Sequence, residues 1–290
     1  MNRCGRSCLH IALIGTMIWI SGASSTTFAW WIKGHGLIAA AAASRLPDDL
    51  PAFFRAAGDK LAHMAGEPDR WKNREAAFLK RTEFPEHFID LEDWEGIDWP
   101  RDRFQAYELL IRAGRKPDKV GLLPYAIMDA YDRLAVAFAD HRREPDNEII
   151  RQKCLVYAGI LSHYTGDCCM PLHTTRDYDG RPGPGGTTLQ KGIHAKIDGF
   201  PENHGFTAEE IARDIQPREL RDVWAHVRER VLESHLHIDL CYELDRFDAF
   251  THAPPASRGF IMARVRAAAE FTADLWLTAW RRSATLPPPF

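Results

Sequence analysis

The chain reads as an all-α protein, one multi-helix domain with long irregular loops lining a cleft, and three observations lead there. Apolar residues recur at three- and four-residue spacing over long windows. Alternating β-branched runs are nearly absent. The joints between periodic windows carry proline and glycine. Taken in order, these windows predict helices over roughly 35–46, 50–65, 103–114, 123–141, 147–167, 217–244 and 259–281. The 123–141 window shows the pattern plainly, with Leu134, Val136, Ala137 and Phe138 following Tyr131. The 147–167 window stops short of Pro171, which cannot continue a helix. The last window repeats the pattern with Phe260, Met262, Val265, Ala268 and Phe271. Between these stretches lies Arg176–Gly192, which holds Gly180, Gly183, Gly185, Gly186, Pro182 and Pro184 and is expected to be irregular. No internal repeat or inter-domain linker is evident.

Residues 1–29 have a basic start (Arg3, Arg6), an apolar stretch from Ile11 to Ile20, and small or polar residues ending in Thr27-Phe28-Ala29. That is the pattern of a secretory signal cut after Ala29, so 30–290 is the expected mature domain and the expected location is secreted or periplasmic. Cleavage there frees the α-amino group of Trp30. No other apolar run approaches bilayer-spanning length, so no stable membrane insertion is expected after signal removal. Lys and Arg number 37 against 40 Asp and Glu, a formal net charge of −3. Loss of Arg3 and Arg6 makes the remainder more acidic, which excludes a generic basic nucleic-acid binder. Bound divalent ions would reverse that sign locally.

Cys154, Cys168, Cys169 and Cys241 remain once Cys4 and Cys8 leave with the signal. Cys154 and Cys168 fall about 21 Å apart along one helix, too far to bond. Neighbouring cysteines rarely pair, so the expected bridge joins Cys168 or Cys169 to Cys241. No pair has zinc-finger spacing, and all four read as structural.

The chemistry concentrates in His163-Tyr-Thr-Gly-Asp167-Cys-Cys-Met-Pro-Leu-His173. His163 and Asp167 are four apart and project from one helix face, where they can grip one ion. Pro171 ends the helix and lets His173 turn back. His194 and Asp198 repeat the four-residue spacing further on. Upstream stand Asp69 and His87, and His35 lies five residues beyond Trp30. A free amine, its own carbonyl and an imidazole can chelate a metal together. The set offers only nitrogen and oxygen ligands, which suits zinc. One His…Asp pair at this spacing is common on helix surfaces, whereas two, joined by His173 and by a histidine near a mature N-terminus, point to a metal cluster. His63, His141, His204, His226, His235, His237 and His252 have no partner at ligand spacing.

In these ordered motifs, Trp-x4-His, His-x3-Asp-x5-His and His-x3-Asp, the sequence resembles the secreted zinc-dependent phospholipase C and single-strand-specific nuclease family (the nuclease types called S-one and P-one). The resemblance runs from Trp30 to about Asp198; beyond that the chain matches only as generic helix. It implies three zinc ions. Asp69, His87, His163 and Asp167 bind the first; His173, His194 and Asp198 bind the second. The third sits on the Trp30 amine and carbonyl, His35 and the other oxygen of Asp167. The implied chemistry is in-line attack on phosphorus by a water activated between the first two ions, with the third steadying the departing oxygen. Asp69 orients that water as a base, and Lys72 steadies charge on the phosphoryl oxygens.

The same resemblance makes Phe88 and Asp90 a base pocket, one stacking and one hydrogen bonding. Phe88 as a plain core residue is the competing reading. These two residues and Lys72 favour a nuclease acting on single-stranded nucleic acid or 3′-nucleotides. The stretch Lys191-Gly192-Ile193-His194-Ala195-Lys196-Ile197-Asp198 departs from the nuclease pattern, with no Asn before the histidine and no Trp before Asp198. Gly192 is similar to the phospholipase branch, which carries Glu where Asp198 stands. A phospholipase C acting on phospholipid head groups is therefore the alternative. A non-catalytic zinc-binding scaffold is a further one, against which Asp69 speaks.

Overall fold

In the computed structural model, which describes residues 30–288, the chain is built mostly from helices, with two short strands; the segment read as a signal, 1–29, lies outside the described residues. The helices that position the site are α1 (Ile32–Ala43), α2 (Gly58–Met64), α3 (Glu67–Trp71), α4 (Leu123–Arg143), α5 (Glu148–Cys168), α6 (Ile193–Asp198), α7 (Val223–His235) and α8 (Pro255–Arg282). A short turn folds α4 and α5 back on each other as antiparallel neighbours. Asn147 starts α5 by accepting hydrogen bonds from the main-chain N–H of Ile149 (3.1 Å) and Ile150 (3.4 Å).

Helix α5 is the axis of the molecule: α1, α2, α4 and α8 all pack against it. From Leu161 to Cys168 every residue is buried, so polar groups there need internal partners. Ser162 Oγ donates to the Gly159 carbonyl at 2.8 Å, and Thr165 Oγ1 to the Ser162 carbonyl at 3.0 Å. Two glycines on this helix let its neighbours close in. A Cβ on Gly159 would lie 2.2 Å from Met64 Cβ of α2, and one on Gly166 would lie 2.8 Å from His35 Nδ1 of α1. Away from the site, Phe54 packs edge-on between Phe138 (5.0 Å between ring centres) and Trp276 (5.4 Å), and Trp276 Nε1 donates to the Ala158 carbonyl. No helix among the described residues is long and apolar enough to cross a membrane.

Four details differ from the sequence reading. The 50–65 window is two helices, Ala52–Arg55 and Gly58–Met64. The 217–244 window starts only at Val223, where Asp222 caps the helix through the Ala225 N–H at 3.1 Å, and breaks between α7 and the helix Ile238–Arg246. Apolar periodicity runs on through both breaks, so spacing alone cannot reveal them. The loop Arg176–Gly192 holds a small hairpin, Arg181–Pro182 paired antiparallel with Thr188–Leu189. The expected bridge from Cys168 or Cys169 to Cys241 is absent: all four cysteines are buried free thiols. Burial pushes the Cys154 thiol up to about 12 and raises that of Cys241, so these two pack as small apolar groups.

Candidate metal centre

Five separate stretches of chain deliver the predicted ligands to one place. The last turns of α5 carry His163 and Asp167, both fully buried. Helix α5 then gives way to the short 3-10 turn Pro171–Thr174, which brings His173 back under the helix end. Helix α6 adds His194 and Asp198 one turn apart, α3 adds Asp69, the 3-10 turn Phe84–His87 adds His87, and α1 adds His35. The C-terminal end of a helix carries partial negative charge, so the end of α5 is a favourable place for cations.

Three buried groups result, each able to hold a metal ion: Asp69, His87 and His163; His35, His163 and Asp167; and His173, His194 and Asp198. Within each, the candidate ligand atoms lie within 4.8 Å of one another. Asp167 divides its carboxylate. Its Oδ1 stands 3.4 Å from His35 Nε2, while Oδ2 stands 3.0 Å from His87 Nδ1 and 3.3 Å from His163 Nε2. His163 is stacked on His35 with ring centres 3.8 Å apart. In the third group the Nε2 atoms of His173 and His194 face each other at 3.0 Å, and Asp198 Oδ2 is 3.0 Å from His194 Nε2.

Trp30 is fully buried beside this cluster. Its indole N–H donates to the Gly166 carbonyl at 2.9 Å. The Trp31 N–H also reaches the Asp198 carbonyl, at 3.3 Å.

The electrostatics suit cations. Burial opposes ionisation of Asp167, yet His163 and His173 outweigh it and hold the carboxyl well below its usual range. For Asp69, Lys72 and His163 likewise overcome burial. Burial, with His163 beside it, pushes His35 down to about 4, and burial lowers His173 and His194 too. Neutral imidazoles beside ionised carboxylates are the protonation states a metal requires, and these five residues lean that way; His87 leans the other way, because against burial and Lys72 its contacts with Asp167 and Glu83 raise it. Asp198 is raised well above its usual range by burial and by the nearby Asp167 and Asp69. Asp69 Oδ2 and Asp198 Oδ1 are buried with no hydrogen-bond partner among the described residues. Orphaned carboxylate oxygens of this kind are costly unless something positive meets them. The residues therefore fit a set of divalent ions.

A cleft of about 210 Å³ opens directly on these groups, with Lys72, His87, His173 and His194 in its lining. Phe88 and Asp90 line it as well. Phe88 is half-buried rather than core, and Phe84 packs edge-on against it at 5.7 Å. Lys72 Nζ lies 2.6 Å from Asp69 Oδ1, so the lysine and the buried acid form a pair at the cleft wall. Burial, with Glu92 and Asp93 close by, pushes Asp90 up to about 7. Sequence reasoning missed Phe84, Tyr178, Asp118 and Lys119, which also line the cleft. Tyr178 meets the edge of His194 at 5.5 Å. It lies in the glycine-rich loop, where no periodicity marks a residue as pointing inward.

Fold and site together define a class, an all-α protein whose central helix ends in a buried cluster of histidines and aspartates able to hold several metal ions. No protein-family model and no curated protein matches the sequence.

Proposed function

We propose that the protein is a zinc-dependent phosphodiester hydrolase acting on single-stranded nucleic acid or 3′-nucleotides. The observation that carries this reading is the cleft, which joins the metal-facing His173 and His194 to Phe88, Asp90 and Lys72 in one continuous lining. Asp69, His87, His163, Asp167 and His35 would hold two ions through the shared Asp167, and His173, His194 and Asp198 a third. A free amine at Trp30 would lie among the same ligands. Zinc bound there supplies Lewis-acid polarisation of a phosphoryl oxygen and acidification of water.

The chain's own groups do the rest. Asp69, held ionised by Lys72 and His163, takes the proton of the attacking water on its unpaired Oδ2. Lys72 adds positive charge at the cleft wall, where phosphoryl oxygens gather it. Phe88, backed by Phe84, offers a face for a base, and Asp90 offers a hydrogen-bonding edge. One observation favours phospholipid as a second reading. Phe84, half exposed (50%), lines the cleft beside Phe88 and Leu172, an apolar patch that would suit acyl chains.

The test uses zinc-loaded protein beginning at Trp30, assayed side by side on single-stranded DNA, RNA and phosphatidylcholine, with Asp69→Asn as control. Cleavage of nucleic acid, lowered about 10²- to 10⁴-fold by Asp69→Asn, supports the reading. Cleavage of lipid alone moves the protein to the phospholipase side. Zinc binding without either activity rejects both.

A further inference from the structure

His163, His173 and His87 each turn one ring nitrogen into the metal cluster, and the other nitrogen faces outward. A metal-binding imidazole is oriented by the partner of that outer nitrogen, which also fixes the tautomer. For His163 the outer partner is main chain: Nδ1 lies 2.8 Å from the Ala65 carbonyl. For His173 it is main chain again, with Nδ1 2.6 Å from the His87 carbonyl. His87 is different. Its Nδ1 faces inward to Asp167 Oδ2 and to His163 Nε2, each at 3.0 Å. Its outward Nε2 is a buried atom with no better acceptor among the described residues than the side chain of Glu83, whose Oε1 is 3.4 Å away.

Glu83 is itself held in place. It is buried at the end of the helix Ala77–Glu83, four residues before His87, and its Oε1 accepts a hydrogen bond from the Tyr164 hydroxyl at 2.5 Å. Tyr164 sits beside His163 on α5, so the carboxylate is tied to the helix that carries two of the metal-facing residues. Glu86 does not compete for the ring, because Arg103 grips its two oxygens at 2.9 and 2.8 Å. We infer that Glu83, braced by Tyr164, is a positioning residue for the metal centre: it keeps the His87 proton on Nε2 and leaves Nδ1 as the lone-pair donor to the ion shared with Asp69 and His163. The inference rests on the metal-centre reading above. It names the one outer-sphere partner among these three histidines that is a side chain and can be removed by substitution.

The experiment loads wild-type protein, Glu83→Gln, Glu83→Ala and Tyr164→Phe with zinc, then counts the ions each retains against a graded chelator. Imidazole ¹⁵N spectra read the His87 tautomer in parallel. Glu83→Ala is expected to release one ion at about 10- to 100-fold weaker affinity, leave the others unchanged, and lose the fixed Nε2–H form. Glu83→Gln, which keeps an acceptor, should fall between, and Tyr164→Phe should weaken the same ion least. Wild-type retention and an unchanged tautomer in the folded Gln and Ala variants overturn the inference while leaving the metal centre standing. Wild-type protein that binds no zinc overturns both. Should the Ala variant fail to fold, the isosteric Gln and Phe variants decide.

Discussion

Asp90 is the residue whose environment most directly links the cleft to pH. Burial and the neighbouring Glu92 and Asp93 raise it from 3.8 to about 7. An aspartate raised on folding is costly once ionised. As pH climbs from about 4 to about 7 the unfolded chain releases this proton while the folded one keeps it, so stability falls across that window. Below it the Asp90 contribution is neutral; above it the penalty is complete. Asp90→Asn should therefore flatten the decline of the thermal midpoint between pH 4 and pH 7, measured in parallel scans of the two proteins. An identical slope in the variant would remove Asp90 as its source. In the cleft the neutral carboxyl can donate as well as accept, so the groups it pairs with change across the same window.

At the scale of elements, α5 is both scaffold and site, and its glycines set how closely α1 and α2 approach. Gly159→Ala would place a methyl 2.2 Å from Met64 Cβ, an overlap that moves the backbones apart. The expected cost is about 1–3 kcal/mol, read as a lowered denaturation midpoint with unchanged helix content. A midpoint equal to wild type would show that α2 yields freely. This scale also explains what was legible in sequence. The His-x3-Asp spacings of α5 and α6 announce themselves because one helical turn puts both groups on one side, and the structure does bring them to adjoining groups. The long helices follow from periodicity. The short pieces that aim His87 and His173 are single 3-10 turns, too brief to leave a period. Glu83 had a signal, its own four-residue spacing to His87, but it was hidden among ordinary surface acids. Phe84 and Tyr178 owe their place to loop paths that no local pattern encodes.

Across the whole molecule, stretches from His35 to Asp198 meet at one cluster, so the site and the fold share the same long-range contacts. Unfolding scatters every ligand, and a metal that binds only the folded chain stabilises it by mass action. Stripping the protein with a chelator should lower its thermal midpoint by several degrees, and returning zinc should restore it; equal midpoints before and after would detach the cluster from the stability of the fold. The free cysteines carry another consequence. Cys154, Cys168, Cys169 and Cys241 are each 0% exposed, spread over α5, the residue after it and the helix Ile238–Arg246. A thiol reagent in solution meets none of them until the core opens, so the pace of their modification becomes a built-in clock for how often the native chain comes apart.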